Sequence, residues 1–269
     1  MTTQRWLQCL AAVVCVVLPA CTTAPRFDAN HPIGMLGVAG SNVTLNTKPA
    51  SSGTPVYVGD RVATGPASSA IIDFTDGGYF QLDQNTDPLF VIERLQAGIC
   101  ILAHLLVGQV FVEKREFCLE TPDIQAINNS EINVQVTGNR TVLTVVRGKV
   151  LLLRPSGAPI TTAQQLTASQ QKQLATVRNV SSDELAELVR WRGGYRFQGW
   201  CCRDGKLSQS DRSDCATRGF SFNRQLLEKS CTDNSPSLDF GEIFRRQRPS
   251  HRPHGDHTTS DPARPSGAE

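Results

Sequence analysis

The sequence lacks the short motifs that mark the common classes of enzyme. It contains no Gly-x-Ser-x-Gly elbow, no Walker loop, no dinucleotide fingerprint and no His-Glu-x-x-His helix. Histidine is scarce, with 5 in 269 residues, and nucleophilic catalysis needs a base within reach of the nucleophile. We therefore expect no catalytic residue and no cofactor, and the chain is predicted not to be an enzyme.

The few candidate acid–base residues have simpler interpretations. His104 lies in the apolar run from Ile101 to Leu106 and is predicted to be a core or edge residue. Asp76 precedes a glycine and indicates a turn, whereas Asp73 is predicted to face solvent from a strand. None of these positions predicts a catalytic pair.

Three of the histidines recur at every third position near the C-terminus: His251, His254 and His257. Imidazoles on a flexible segment could collect copper, nickel or zinc. A solvated tail that happens to contain histidine is the simpler interpretation, so no metal site is predicted.

The chain also lacks an excess of charge of one sign. Lys and Arg total 27 against 25 Asp and Glu, a formal net charge of +2 at pH 7. Arg5 is the one charge before Cys21, so the rest of the chain is close to neutral. Such a balance gives no support for steering towards nucleic acid, and no nucleic-acid partner is expected.

A long uncharged apolar stretch occurs only at the N-terminus, from Trp6 to Leu18. It is shorter than the ~20 residues that a membrane-spanning helix needs. A leader with a cation, then an apolar run, then small residues is typical of an export signal. Residues 1–20 are therefore predicted to be a signal peptide, followed by a linker over residues 21–32.

The leader ends at Leu18-Pro19-Ala20-Cys21. This tetrapeptide resembles the lipobox of bacterial lipoproteins, in which lipid is attached to the cysteine thiol and the chain is cleaved before it. The resemblance implies a lipidated Cys21 and membrane anchoring by acyl chains, each worth about 0.8 kcal/mol per buried methylene. Thr22 follows the cysteine, and in Gram-negative bacteria the absence of Asp at this position favours the outer membrane. We therefore expect a lipid-anchored domain that faces the periplasm. The alternative is an ordinary thiol after a simple secretory cleavage.

Six of the nine cysteines remain once the leader and the lipidated residue are set aside. In an oxidising compartment we expect disulfides among Cys100, Cys118, Cys201, Cys202, Cys215 and Cys231. The segment between Cys100 and Cys118 is expected to return as a hairpin, which favours that pair. Of the three connectivities of the other four, the one that joins adjacent cysteines is strained, and two stay open. A zinc site is disfavoured because these four include no Cys-x-x-Cys knuckle.

Short alternating apolar runs, broken by Gly, Asp, Asn and Pro, predict many short strands from Ile33 to about Thr176. The clearest hairpin spans Ile132 to Leu153, with turns at Gly138-Asn139 and Arg147-Gly148. Asp76-Gly77-Gly78 predicts another turn. We expect a mainly β domain over residues 33–178, built as a β sandwich or β roll.

A short helix and a small unit are predicted after the strands. Ser181-Ser182-Asp183-Glu184 is typical of a capping box, and Leu185, Leu188 and Val189 then recur on one face. We expect a helix over residues 179–194 that docks on the sheet. Residues 195–243 are predicted to form a small module that needs disulfides to fold. Residues 244–269 are rich in Pro, Arg and Ser and are predicted to be disordered.

A series of turn and core residues follows in order from Gly34 to about Gln171. Its members are Gly37-Val38, Gly59-Asp60-Arg61-Val62-Ala63-Thr64-Gly65, the segment Ser69 to Gly77, Leu82 with Thr86, Leu105 with Gly108-Gln109-Val110, Thr121-Pro122, and Thr144 to Val150. This region resembles the FecR domain, a periplasmic β module. The C-terminal Gly199-Trp200-Cys201-Cys202 and the cysteines that follow it look like a small module found behind such domains.

Two departures limit what the resemblance implies. Ile127-Asn128-Asn129-Ser130 stands where the family usually has a Gly-Thr pair and an apolar strand, so any role of that loop in relatives is not carried over. The regulators that gave the family its name also have a sigma-factor-handling segment and a membrane span. Neither is recognisable here, so sigma-factor regulation is not expected.

The sequence thus predicts a lipid-anchored protein of the bacterial envelope that binds or scaffolds a protein or glycan. The sheet face, the segment around Asn128 and the cysteine module are the candidate surfaces. The alternative is an accessory to envelope signal sensing, by analogy to the family. An enzyme of an unrecognised kind is the third hypothesis.

Overall fold

The computed structural model describes residues 31–95, 98–169, 174–215 and 219–231. The predicted signal peptide, the predicted lipidation site Cys21 and most of the linker lie outside the described residues, as do the predicted tail and its three histidines. Within the described ranges, no helix is long and apolar enough to cross a bilayer.

The first part of the chain consists of strands. They are β1 (Gly34–Ala39), β2 (Val43–Leu45), β3 (Lys48–Pro49), β4 (Pro55–Val56), β5 (Val62–Thr64), β6 (Ser69–Phe74), β7 (Tyr79–Leu82), β8 (Pro88–Leu95), β9 (Gly98–Leu105), β10 (Gly108–Glu120), β11 (Gln125–Thr137), β12 (Arg140–Arg147), β13 (Lys149–Arg154), β14 (Ile160–Thr161), β15 (Gln164–Ser169) and β16 (Leu174–Asn179). The predicted mainly β fold is confirmed.

The C-terminal part holds a helix and a small sheet. Its elements are α1 (Ser182–Val189), a 3₁₀ turn (Arg190–Gly194), β17 (Gln198–Arg203), β18 (Lys206–Asp211), a second 3₁₀ turn (Arg212–Asp214), β19 (Phe220–Ser221) and α2 (Arg224–Cys231). The predicted short helix is α1, and we call the part from β17 to α2 the cysteine module. The helix α2 inside this module was not predicted.

One large sheet contains most of the strands, in the order β16-β15-β12-β11-β10-β7-β6-β1-β4. β13 also pairs with β11, and the hairpin of β8 and β9 joins the sheet at β10. A small sheet β3-β2-β5 lies beside it, and the cysteine module has its own sheet β18-β17-β19.

Strand β10 is curled, and its curl folds the large sheet over on itself. The first half of β10 is antiparallel to β7, with Val110 opposite Leu82, whereas its second half is parallel to β9, with Phe117 opposite Ile101. Only residues 106 and 107 separate β9 from β10, so a straight β10 could not bring Phe117 back beside β9. A bulge between Lys114 and Phe117 makes the bend. The result is the curled sheet of a β sandwich.

Phenylalanine side chains fill the space between the two faces. Phe80, Phe90 and Phe117 are fully buried. The ring of Phe80 lies 5.3 Å from that of Phe90 and 5.6 Å from that of Phe117, both at steep angles. Aromatic pairs in such geometries add about 0.5–1.5 kcal/mol to the free energy gained by burying their area. These rings therefore hold the inner faces of the curled sheet together.

One predicted turn is confirmed and another is wrong. Gly138-Asn139 joins β11 to β12, with Thr137 opposite Arg140 and a φ of 57° at Gly138. At Gly148, by contrast, the chain does not turn back, because β12 and β13 both pair with β11, Arg147 opposite Glu131 and Val150 opposite Asn128. Gly148 has a φ of 98° and kinks a strand that continues. Kinks and turns both interrupt the alternation of apolar residues. The sequence pattern alone therefore does not distinguish a kinked strand from a turn.

The cysteines pair in three disulfides. Cys100 is bonded to Cys118, the pair that the sequence predicted, with their Cα atoms 6.0 Å apart. The expected hairpin between them is wrong, since this disulfide joins the parallel strands β9 and β10. In the module, Cys201 is bonded to Cys215 and Cys202 to Cys231, which decides between the two connectivities that the sequence left open.

Helix α1 begins at the predicted cap, but its cap is only half of a capping box. The Ser181 hydroxyl accepts a hydrogen bond from the Glu184 backbone amide at 3.2 Å. The Glu184 carboxylate accepts from Arg178 instead, with Nη1 to Oε2 at 3.0 Å. No residue of α1 is buried, so its apolar stripe docks only partly and does not carry the packing onto the sheet.

Aromatic residues after α1 dock the cysteine module on the outer face of the sheet. Phe197, Phe220 and Phe222 pack with Ile71, Tyr79 and Phe111 in one buried cluster. Arg212 donates to Asp73 from Nη2 at 2.8 Å and from Nε at 3.2 Å. The prediction of a solvent-facing Asp73 is therefore wrong. Burial raises the pKa of Asp73, and the neighbouring Arg212 guanidinium opposes this rise.

Removing the disulfide between β9 and β10 tests whether it stabilises the curl. For the variant Cys100→Ser/Cys118→Ser we expect the free energy of unfolding to fall by about 3 kcal/mol, because an 18-residue loop is no longer closed in the unfolded chain. Guanidinium denaturation under non-reducing conditions measures this. A loss below about 0.5 kcal/mol would contradict a role for this disulfide in stability.

Candidate binding groove at the strand bulge

The bulge of β10 sets two residues against one residue of β11. Lys114 lies opposite Ser130 and Phe117 lies opposite Asn128, which leaves Glu116 in the bulge with a φ of 53°. The backbone amide of Glu116 donates to Asn129 Oδ1 at 2.8 Å, which replaces a ladder bond that the bulge removes. The predicted loop Ile127–Ser130 is thus wrong, because these residues lie inside β11.

A groove of about 770 Å³ opens at this bulge. We call it the bulge groove. Its walls come from the turn at residues 76–78, from residues 113, 114 and 116 of β10, from residues 129–131 of β11 and from Arg147-Gly148. Pockets that bind small molecules or peptide side chains have volumes of roughly 300–1,000 Å³. The groove therefore has the size of a binding site.

Lys114 forms the floor of the groove. Its side chain is 4% exposed, and its Nζ lies 2.5 Å from Asp76 Oδ1 and 4.8 Å from the centre of the Phe74 ring. A buried ammonium group without a partner would be costly, so this ion pair holds the turn at Asp76 against β10. The ring below adds a cation–π contact.

Carboxylates outnumber cations around the groove. Asp76, Glu113, Glu116 and Glu131 are its acidic residues, and Lys114 and Arg147 are its basic ones. Both cations are already paired, Lys114 with Asp76 and Arg147 with Glu131. No ion pair joins Glu113 or Glu116 to a cation among the side chains that the structure describes. The described lining of the groove therefore carries two more carboxylates than cations.

Glu113 lies beside a tyrosine on the same face of the sheet. It is opposite Tyr79 in the strand ladder, and its carboxylate lies close enough to affect the pKa of the Tyr79 phenol. Burial raises the pKa of Tyr79 to about 12; the cation of Arg192 opposes the rise and Glu113 adds to it. The phenol is thus protonated at neutral pH, and only the carboxylate of this pair carries a charge. Glu116, in contrast, is exposed on the rim.

Close backbone contacts make the groove walls stiff. The Ser130 hydroxyl accepts from the Lys149 amide at 2.8 Å and donates to the Lys149 carbonyl at 2.5 Å. Asn128 is fully buried and donates from Nδ2 to the carbonyls of Ser130 at 2.9 Å and Lys114 at 3.3 Å. Asn128 therefore braces the bulge from inside and does not itself offer a contact surface.

The remaining predicted residues lie apart from the groove. His104 is neither a core nor an edge residue: its side chain is 32% exposed, and β9 pairs at this position with both β8 and β10. Its Nδ1 lies 2.9 Å from Glu120 Oε2. The Cys100–Cys118 disulfide lies beyond the bulge in β10, and the other two staple the cysteine module. Within residues 31–95, 98–169, 174–215 and 219–231, no group of His, Cys, Asp and Glu could hold a metal ion.

Sequence reasoning missed the charged residues that line the groove, although a signal was present. The run Glu113-Lys114-Arg115-Glu116 interrupts a strand that is otherwise apolar on both sides, from Val110 to Val112 and from Phe117 to Leu119. A charged run inside a strand indicates a bulge or an edge, where alternation breaks. Read in that way, the run would have located the bend.

Comparison with known proteins finds a likeness of fold only. No family model matches the sequence, and no curated protein matches it. Two crystal structures of a "putative anti-sigma factor" from Parabacteroides distasonis ATCC 8503, at 1.65 and 2.50 Å resolution, each align with 14% identity and a TM-score of 0.42. The matches cover 52% and 54% of this chain. The aligned regions cover 66% of the chain in the 1.65 Å structure, just under two thirds, and 68% of the chain in the 2.50 Å structure. The FecR resemblance stays a prediction from sequence, and we transfer no functional residue from these structures.

Two adjacent glycines of the groove turn provide a matched pair for testing its packing. A Cβ at Gly78 would lie 2.1 Å from the Glu113 carbonyl oxygen, whereas one at Gly77 meets nothing within 4 Å. Both have positive φ, 78° and 98°, so either alanine costs about 1–2 kcal/mol in backbone strain. We expect Gly78→Ala to lower the free energy of unfolding by at least about 1 kcal/mol more than Gly77→Ala, because β10 must shift. Equal losses in chemical denaturation would contradict this close approach.

Proposed function

We propose that this chain is a lipid-anchored protein of the bacterial envelope that binds a partner protein through a basic segment seated in the bulge groove. The observation that carries the proposal is the negative charge of Glu113 and Glu116, neither of which forms an ion pair with a cation whose side chain the structure describes. A lysine or arginine of a partner would supply the missing charge, and complementary charge of this kind gives specificity and speeds association.

The construction of the groove supports binding by a preformed site. Its walls are strands and a tight turn, held by the Lys114–Asp76 ion pair and by the Ser130–Lys149 hydrogen bonds. Sites on strands hold their geometry better than sites on loops. A partner would therefore lose little affinity to ordering of the groove.

The residues around the groove favour a protein over a glycan. Those that the structure describes there are charged or small and polar, without an aromatic ring on which a sugar could stack. Carboxylates accept from ammonium and guanidinium groups in charge-assisted bonds, which are roughly twice as strong as neutral ones. A glycan partner is accordingly the alternative that the crosslinking experiment must distinguish from a protein.

Anchoring at Cys21 would complement this site. The lipobox resemblance places the acyl chains ten positions before His31, the first described residue. A tether of that length would keep the groove close to the membrane surface. The effective concentration of a membrane-associated partner would then be raised without any further contact.

Photo-crosslinking in living cells tests the groove. A photoreactive residue in place of Arg147, which is 76% exposed at the groove, is expected to give a discrete protein adduct. A photoreactive residue in place of the exposed Thr176 of β16 is expected to give none.

Charge reversal tests the role of the carboxylates in the same assay. Glu116→Lys should reduce the yield of the Arg147 adduct at least tenfold because it reverses the unpaired charge. The control is Glu187→Lys, the same change on the exposed side of α1, which should leave the yield unchanged. An adduct digested by glycosidases would make the partner a glycan. Equal labelling at Arg147 and Thr176 would contradict the proposal.

The identity of the adduct then separates two roles in the envelope. An outer-membrane receptor would support the signalling accessory that the sequence suggested as its alternative. A structural or wall-associated protein would support scaffolding.

Metabolic labelling tests the anchor independently of the groove. With an alkyne analogue of palmitate, we expect the wild type and Cys15→Ala to be labelled and Cys21→Ala to be unlabelled, because acylation depends on the lipobox thiol. Labelling that persists in Cys21→Ala would refute lipidation at this residue, whatever the groove binds.

A further inference from the structure

A second cavity lies where the cysteine module meets the outer face of the large sheet, and it is separate from the bulge groove. It has a volume of about 390 Å³. β7 contributes Tyr79 and Gln81, the 3₁₀ turn after α1 contributes Arg192, and the end of β18 contributes Asp211. We call it the module cavity. Three parts of the fold thus meet around one space.

Asp211 brings a carboxylate to this cavity that is only half satisfied. The residue is 8% exposed. Its Oδ1 accepts from the Ser213 amide at 2.9 Å and from the Ser213 hydroxyl at 2.7 Å. Its Oδ2 is buried and has no hydrogen-bond partner. Arg196 is 70% exposed, and its Nη1 lies 3.9 Å from Oδ1, too far for a hydrogen bond.

Arg192 brings the opposite charge, also incompletely paired. Its guanidinium stacks on Phe111, 3.5 Å from the ring centre, and an Nη atom donates to the Tyr79 hydroxyl. Its Nε is buried without a partner, and no carboxylate among the described residues forms an ion pair with it. Stacking leaves the edge of the guanidinium available for an acceptor. The neighbouring Arg212 differs, because Asp73 pairs with it.

Most buried polar atoms in proteins are hydrogen-bonded. The two residues that carry these exceptions are of opposite charge and line the same cavity, which points to a missing group. An anion would satisfy Arg192 and leave Asp211 unpaired, and a cation would do the reverse. A molecule with both charges satisfies both. Charge-assisted bonds at each end would outweigh those of a neutral hydroxyl compound.

We infer that the module cavity binds a small zwitterion of the amino-acid class, a free amino acid or a dipeptide. The carboxylate of the zwitterion accepts from the Arg192 guanidinium, and its ammonium group donates to the Asp211 carboxylate. Ile71, Val189 and Phe197 supply apolar wall for a side chain, and the volume lies in the range of pockets for small molecules. Binding would link the sheet to the cysteine module through the molecule itself.

Calorimetry and thermal unfolding of the purified protein test this inference. The probes are leucine, phenylalanine, lysine and alanyl-alanine, each also as its N-acetylated and its carboxyl-amidated derivative, with glucose as a neutral hydroxyl compound. We expect at least one unmodified probe to bind and to raise the Tm, because binding to the folded state alone stabilises it. Both derivatives of that probe should bind at least tenfold more weakly. Failure of every unmodified probe, or binding of glucose alone, would overturn the inference.

Two variants assign the ends of the zwitterion. Asp211→Asn should weaken binding of the unmodified probe at least tenfold and remove the discrimination against its N-acetylated form. Arg192→Gln should do the same for the amidated form. Glu116→Lys, which alters only the bulge groove, is the control and should bind normally. Unchanged affinity in Asp211→Asn with all disulfides intact would refute the assignment. If either variant misfolds, the derivatives of the wild-type probe decide alone.

Discussion

The bend of β10 between Lys114 and Phe117 is the constraint on which the rest of the structure depends. Before the bend the strand pairs with β7, and after it the strand pairs with β9. One strand therefore supplies Val110 and Val112 to one side of the core and Phe117 and Leu119 to the other. Without the bulge the two sides would not face each other, and the phenylalanine cluster could not close. The same irregularity opens the bulge groove, so the fold and the candidate site have one origin.

Paired charges stabilise this irregular region at the places where hydrophobic packing cannot. Lys114 lies almost completely buried beneath the groove, and Asp76 neutralises it. Asp73 and Arg212 form a similar pair on the outer face, where the cysteine module docks. Both pairs connect segments that are distant in sequence. In each case the loss of one partner would leave a charge in a poorly solvated position, which costs more than the pair contributes.

The two cavities differ in the way their charges are arranged. The bulge groove holds an excess of carboxylates on stiff strands and is open to solvent, which suits a basic segment of a macromolecule. The module cavity is half that size and presents one unsatisfied group of each sign. The surfaces therefore suit different classes of molecule, and each can be tested without the other.

Local patterns predicted the parts of the fold that local chemistry controls. The turns at Gly138 and at Asp76-Gly77-Gly78, the cap at Ser181 and the mainly β architecture all follow from residue types and spacing. The sequence also singled out the segment around Asn128, but as a loop, because its polar residues resemble a turn more than a buried strand. Contacts between distant segments were beyond such reasoning. Asp73 was predicted to face solvent because its ion-pair partner, Arg212, lies 139 residues later in the chain. Likewise, no local sequence pattern predicts that Phe117 pairs with Ile101 in a parallel ladder.

The curl of β10 can be measured directly by nuclear Overhauser effects between backbone protons in the labelled, oxidised protein. The structure predicts two sets of cross-peaks from this one strand in a single sample. Val110 should contact Leu82 in the antiparallel pattern, and Cys118 should contact Leu102 in the parallel pattern. Antiparallel contacts that pair β9 with β10 as a simple hairpin, from Leu105 and Gly108 outwards, would contradict the bend and with it the origin proposed for the groove.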